Sequence, residues 1–81
     1  MTLRVQFFSH LKDVTGTDGL DAHVPEGASV ADLLTVVYGQ HPKLRDWDSS
    51  ILCGVGVEFV DRDYLLKEGD EIALMPPVQG G

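Results

Sequence analysis

The sequence closes on Gly80-Gly81, preceded by Pro76-Pro77-Val78-Gln79. Glycines at a chain end are commonly no more than a loose terminus, but this setting gives them a possible chemistry. Two prolines restrict the backbone and stiffen the exit from the last predicted strand. Two residues without Cβ atoms then make the thinnest peptide available. Such a segment can enter a narrow channel and carry the α-carboxylate of Gly81 to a catalytic centre on another protein. A terminal carboxylate has an ordinary pKa of about 3.5, so it is ionised at neutral pH and can attack the α-phosphate of ATP. The acyl-adenylate so formed is open to sulfur or nitrogen nucleophiles.

The other reactive side chains form no comparable constellation. His10, His23 and His41 are widely spaced, with no HxxH or HxxxH pair, so no metal site is expected. A calcium loop beginning at Asp61 would require Gly at position 66 and Glu at position 72; these are Leu66 and Ile72. Asp61, Asp63 and Asp70 therefore read as solvated turn carboxylates. Gly54-Val55-Gly56 lacks the third glycine and the following helix of a dinucleotide loop. Cys53 has apolar neighbours and a core-facing parity, as expected of an inert buried thiol. No Ser/His/Asp set is convincing, and so short a chain is not expected to enclose a substrate pocket alone.

The elements that must present the tail are legible in the periodicity. Leu3, Val5 and Phe7 alternate with Arg4, Gln6 and Phe8, a strand with one buried face. Ser9 is placed to cap a short helix over 10–14, with Gly16 as its stop. Leu20, Ala22 and Val24 alternate in a second strand, the other arm of a hairpin-like unit. Ser29 and Asp32 have capping-box spacing. Val30, Leu33, Leu34, Val37 and Tyr38 form the apolar stripe of the main helix, with Gly39 at its expected left-handed end. Pro42 to Trp47 predicts one further helical turn. The stretch 51–60 is strand-like but interrupted by Gly54 and Gly56. Leu65-Leu66 is a short apolar anchor. Ile72 and Leu74 point inward from a last strand, leaving Ala73 and Met75 outside. Four or five strands and one covering helix predict a two-layer α+β domain, a β-grasp roll with a mixed sheet; a split βαβ arrangement is the alternative. The body is expected over 1–75, with 76–81 as a flexible tail.

Length and composition set the bounds. At 81 residues the chain makes one domain. Its 43% hydrophobic and 23% charged residues are those of a globular protein. One cysteine excludes a disulfide framework. With 13 acidic and six basic residues the formal charge is −7, which disfavours nucleic acid and anionic membranes and allows a basic protein partner. No apolar run approaches a membrane span, and the N-terminal segment lacks a signal peptide's apolar core. A cytoplasmic location is expected.

Four segments carry a resemblance that runs over nearly the whole chain. They are Val5-Gln6-Phe7-Phe8, Ser29-Val30-Ala31-Asp32-Leu33, Glu68-Gly69-Asp70-Glu71-Ile72 and the terminal Pro76-Pro77-Val78-Gln79-Gly80-Gly81. On these the sequence resembles the MoaD/ThiS family of ubiquitin-like sulfur carriers, and the terminal PPVxGG favours its molybdopterin synthase small-subunit branch over the thiazole branch. The resemblance implies a cycle. A ubiquitin-activating-like adenylyltransferase would use ATP and magnesium to adenylate Gly81. A sulfur donor protein would convert the adenylate to a thiocarboxylate. The tail, Pro76 to Gly81, would enter the large subunit of molybdopterin synthase, where the sulfur attacks a cyclic pyranopterin precursor in molybdenum cofactor biosynthesis. The chain would bind no cofactor itself, and catalytic acids and bases would lie on the partners. Carriers for thiazole, thiolated tRNA or cysteine, and a protein modifier joined through Gly81 to lysines, share this chemistry. The family often has Asn after the strand valine, where this chain has Gly56.

Parity also predicts where partners would dock. Phe8 and Met75 point away from the core. In a β-grasp sheet the first and last strands are parallel neighbours, so the two residues should meet at the root of the tail. By its family counterpart, Phe59 joins the same face. An exposed apolar patch rimmed by carboxylates is a partner site in character.

Overall fold

The computed structural model describes residues 1–77. Strand β1 (Thr2–Phe7) leads into helix α1 (His10–Thr15), strand β2 (Gly19–His23) and helix α2 (Val30–Gln40). A 3₁₀ segment (Pro42–Ser50) follows, then β3 (Leu52–Val55), β4 (Glu58–Val60) and β5 (Glu71–Met75). The five strands form one mixed sheet in the order β2-β1-β5-β3-β4. β5 runs parallel to β1, with Phe7 opposite Leu74, and antiparallel to β3, with Leu52 opposite Met75. The β-grasp architecture expected from the periodicity is therefore present, with five strands.

The apolar parity of the strands explains the layering. Leu3, Val5, Phe7, Leu20, Ala22, Cys53, Ile72 and Leu74 are buried in one cluster with the α2 stripe Val30, Leu33, Leu34, Val37 and Tyr38. α2 begins at a reciprocal capping box: the Asp32 N–H donates to Ser29 Oγ (3.2 Å), and the Ser29 N–H donates to Asp32 Oδ2 (3.0 Å). Its next two N–H groups, of Val30 and Ala31, donate to the carbonyls of Tyr64 and Arg62, both at 2.9 Å. The turn after β4 thus completes the helix start that the side-chain box begins.

Three local expectations are corrected. Gly39 does not end α2 in a left-handed conformation; the helix continues through Gln40, and His41 is the C-cap, its N–H donating to the Val37 carbonyl. A glycine at the penultimate helical position is tolerated because burial of Val37 and Tyr38 outweighs its weak propensity. Ser9 occupies the N-cap position of α1 but makes no side-chain cap bond, and its backbone lies at φ 55°, ψ −130°. Its geometry is set by the sharp turn out of β1 rather than by capping. The turn predicted at Pro42–Trp47 extends to Ser50, because Tyr38, Asp48 and Arg62 hold its far end.

Gly56 forms the β3–β4 turn at φ 63° with open space where a Cβ would stand. Asn is the non-glycine residue that best tolerates this conformation. An Asn at this position would meet the same backbone requirement as the glycine.

Candidate functional site

The root of the tail is a continuation of the central strand. β5 ends at Met75; Pro76 follows half-buried and Pro77 exposed. Val78, Gln79, Gly80 and Gly81, to which the tail chemistry was assigned, lie outside the described residues. Because β1 and β5 are parallel, their C-terminal ends coincide. The Phe8 N–H donates to the Leu74 carbonyl at 3.0 Å, which sets Phe8 beside Met75.

The sheet face opposite α2 carries the three residues expected at a docking patch. Phe8 is 40% and Phe59 66% exposed, while Met75 is half-buried. Register explains Met75: Phe59 pairs with Gly54, and Gly54 pairs with Ala73. Glycine leaves a depression in that row, and the Met75 Cε lies 3.4 Å from where a Gly54 Cβ would stand. A shallow groove of about 110 Å³ therefore runs between Phe59 and Met75, floored by Gly54 and Ala73. Phe59 and Met75 share this groove, whereas Phe8 lies across β5 at the strand ends.

Two further apolar residues belong to this face. Leu52, opposite Met75, is 37% exposed. Val57 is fully exposed at the hairpin tip and borders the groove. Leu52 was recoverable from parity, since Ile51 and Cys53 on either side of it face inward; Val57 has no periodic signal, because it belongs to a turn.

A polar cluster that sequence spacing did not reveal braces the domain from behind. The Tyr38 hydroxyl donates to Asp48 Oδ1 at 2.5 Å, and Arg62 Nη1 donates to the same oxygen at 2.9 Å. Arg62 Nη2 donates to the Asp48 and Ile51 carbonyls at 2.6 and 3.2 Å. Burial and the hydrogen bond to Asp48 push the Tyr38 phenol well above its ordinary value. The bonds from Tyr38 and Arg62 hold the Asp48 carboxyl below the usual carboxylate range. The three residues lie 10 and 14 positions apart in sequence, on a helix, a 3₁₀ segment and a turn, so only the fold brings them together.

The remaining candidates fall where their chemistry is ordinary. Cys53 is buried, and burial raises its thiol pKa despite the Arg62 charge. His23 Nδ1 bonds Thr2 Oγ1 at 2.8 Å, His10 meets Trp47, and His41 packs edge-on against Phe7. Among the described residues no three metal-ligating side chains gather, and no helix is long and apolar enough to cross a membrane.

The ThiS family model matches residues 5–81. The chain belongs to the ThiS family. This ThiS-family protein is 31% identical to the molybdopterin synthase sulfur carrier subunit of Chlamydomonas reinhardtii, over all of both chains. It is 32% identical to the human protein of the same name, over 98% of this chain and 93% of the other. It is also 32% identical to small archaeal modifier protein 1 of Haloferax volcanii, over 94% of this chain and 97% of the other. A crystal structure of that modifier superposes with a TM-score of 0.87 at 30% identity, each chain fully covered. The ubiquitin-like β-grasp fold is thereby shown for this family member by its neighbours as well as by its own topology.

Proposed function

We propose that this chain is a sulfur carrier, the small subunit of a molybdopterin synthase, with residues 1–75 as its body and 76–81 as its working tail. The observation that carries this reading is its end-to-end likeness to molybdopterin synthase sulfur carrier subunits, in a chain whose central strand stops six residues before Gly81. The Gly81 carboxylate attacks the α-phosphate of ATP, held with magnesium by a ubiquitin-activating-like adenylyltransferase, and releases pyrophosphate. Hydrosulfide supplied by a sulfur donor protein displaces AMP, breaking the acyl–phosphate bond, and leaves a thiocarboxylate. The large synthase subunit receives the tail, and the sulfur attacks a cyclic pyranopterin precursor. This chain contributes a tethered nucleophile rather than acid–base side chains, so its effect is one of proximity.

The open sheet face would hold the body to each partner in turn. Phe8, Phe59 and Met75, with Leu52 beside them, offer the aromatic and thioether side chains that concentrate interface energy. The adenylyltransferase and the large subunit would share this face, so their complexes would be mutually exclusive.

The test is to incubate the chain with an adenylyltransferase, ATP, magnesium and a sulfur donor, then weigh it. Replacement of one oxygen by sulfur adds about 16 Da. That gain, and loss of transfer on removal of Gly81 or on adding a residue after it, is the expected result. Normal synthase activity from an unprocessed extended tail would overturn the reading. The likeness to small archaeal modifier protein 1 favours a second reading, attachment of Gly81 to lysines of other proteins. Covalent ladders on lysines with no thiocarboxylate would select it.

A further inference from the structure

Beside the tail root, and apart from the open sheet face, lies a cleft of about 540 Å³. Its walls are Ser9 and His10 at the start of α1, Trp47 and Ser50 in the 3₁₀ segment, and Pro76 and Pro77. We infer that this cleft receives an arginine side chain from the protein that takes up the tail.

Three features of the walls select a guanidinium. The first is aromatic. Trp47 is part-exposed and held edge-to-face by His10, with ring centroids 5.0 Å apart and planes at 63°. An indole is the best aromatic surface for a cation, and the planar guanidinium stacks on it where an ammonium cannot. The second is the backbone at Ser9, in a positive-φ conformation that non-glycine residues rarely adopt. Such outliers cluster at functional sites, and this one turns the chain so that Ser9 borders the cleft while its hydroxyl makes no cap bond to α1. That hydroxyl can accept from a guanidinium N–H.

The third is charge. The chain carries a formal −7, and His10, a wall of the cleft, has the Asp13 carboxylate 3.8 Å from its Nδ1. The two cations of the 3₁₀ segment are directed elsewhere. Arg45 lies over the Tyr38 ring at 5.5 Å, and Lys43 borders a separate groove with Val14 and Gln40. The cleft also adjoins the proposed docking face, since Ser9 follows Phe8 and Pro76 follows Met75. An arginine anchored there would hold the root of the tail while its end enters the partner.

That the arginine belongs to a tail-binding partner rests on the function proposed above; the guanidinium preference of the cleft does not, and it is tested on the isolated chain. The probes are N-acetylarginine amide, N-acetyllysine amide and N-acetylleucine amide, titrated at pH 8. The readouts are the NMR shifts of the Trp47 indole N–H and the Ser9 amide. Because Trp47 is the single tryptophan, its fluorescence gives an independent signal. The arginine derivative should saturate with Kd on the order of 10 mM, at least about fivefold tighter than the other two. Trp47→Phe, which keeps a π face, should retain binding within about threefold, and Trp47→Leu should abolish it without loss of fold. Equal or tighter binding of the leucine derivative would overturn the inference in favour of an apolar occupant. No saturable shift with arginine would overturn it outright. Arginine binding that appears only after removal of the last four residues would assign the cleft to the chain's own terminus. These ligand comparisons decide the matter on the unmodified protein even if Trp47→Leu fails to fold.

Discussion

The two faces of the sheet are built from the same strands and differ by one residue of parity. On one face Val5, Phe7, Ile72 and Leu74 are buried under Leu33, Leu34 and Val37. On the other, Gln6 and Glu71 stand in solvent beside Phe8, Leu52 and Phe59. Both faces carry large apolar side chains, but only the first has a helix to cover them. Apolarity alone therefore does not identify a core; a core needs a matching apolar stripe elsewhere in the chain. Among the described residues only α2 offers such a stripe, so no helix covers the apolar residues of the second face.

Substitutions can separate the faces. The largest effect is expected on the covered one: Leu34→Ala should lower stability by about 2–5 kcal/mol, read by urea or thermal unfolding. A change below about 1 kcal/mol would mean that α2 is not the element closing the core. On the open face, Phe59→Ala and Phe8→Ala should leave the melting temperature nearly unchanged and weaken partner binding roughly 30-fold, about 2 kcal/mol. Calorimetric titration of both partners tests this. Met75→Ala should affect both quantities, since Met75 also fills the depression over Gly54. Unchanged affinity in all three would dissolve the distinction between the faces.

The polar brace sharpens the comparison from a third side. Arg62→Ala removes hydrogen bonds to Asp48 and Ile51 and should lower stability by about 1–2 kcal/mol, reduced from a buried value because Arg62 and Asp48 are 39% and 48% exposed. The pH dependence has two limbs. Asp48 titrates lower in the folded protein, so its contribution is present above its unfolded pKa of about 3.9 and fades as pH falls through the lower folded value. Tyr38 titrates higher when folded, so its contribution is full below about pH 10 and is lost as pH rises beyond it. Asp48→Asn should flatten the acid limb, and Tyr38→Phe the alkaline one, in chemical unfolding at successive pH values.

The smallest effect is expected at the hairpin tip. Gly56→Asn should change stability by only a few tenths of a kcal/mol, while Gly56→Val should cost about 1–2 kcal/mol, because a β-branched residue resists φ 63°. Equal losses in both would show that the family's Asn serves something other than the turn.

What could be read from the sequence follows the range of the interactions. Strand parity and the α2 stripe are local and repetitive, and they led to a β-grasp roll of four or five strands, to Leu33 and Leu34 in the core, and to the exposure of Phe8. The capping box at Ser29 and Asp32 was legible because both partners lie within one turn. The Tyr38–Asp48–Arg62 cluster was not, since its members have no common spacing and meet only after the 3₁₀ segment folds back on α2. Gly39 misled because glycine at a helix end has two readings that only packing separates. The groove between Phe59 and Met75 required knowing which strand lies between β1 and β3.

That strand is β5, and its position has a consequence for synthesis of the protein. The last strand among the described residues is the one that sits at the centre of the sheet, bonded to β1 on one side and β3 on the other. Pairing across so long a stretch of chain is slow and cannot begin before Glu71–Met75 has been made. A chain stopped before Glu71 lacks its middle strand and leaves the core open to proteases. A chain cut beyond Met75 would still complete the sheet and, on the function proposed above, would keep the docking face while losing the tail. Premature termination in the body would thus yield debris that is cleared, whereas on the proposed function clipping beyond the last strand would yield a folded competitor for the partners.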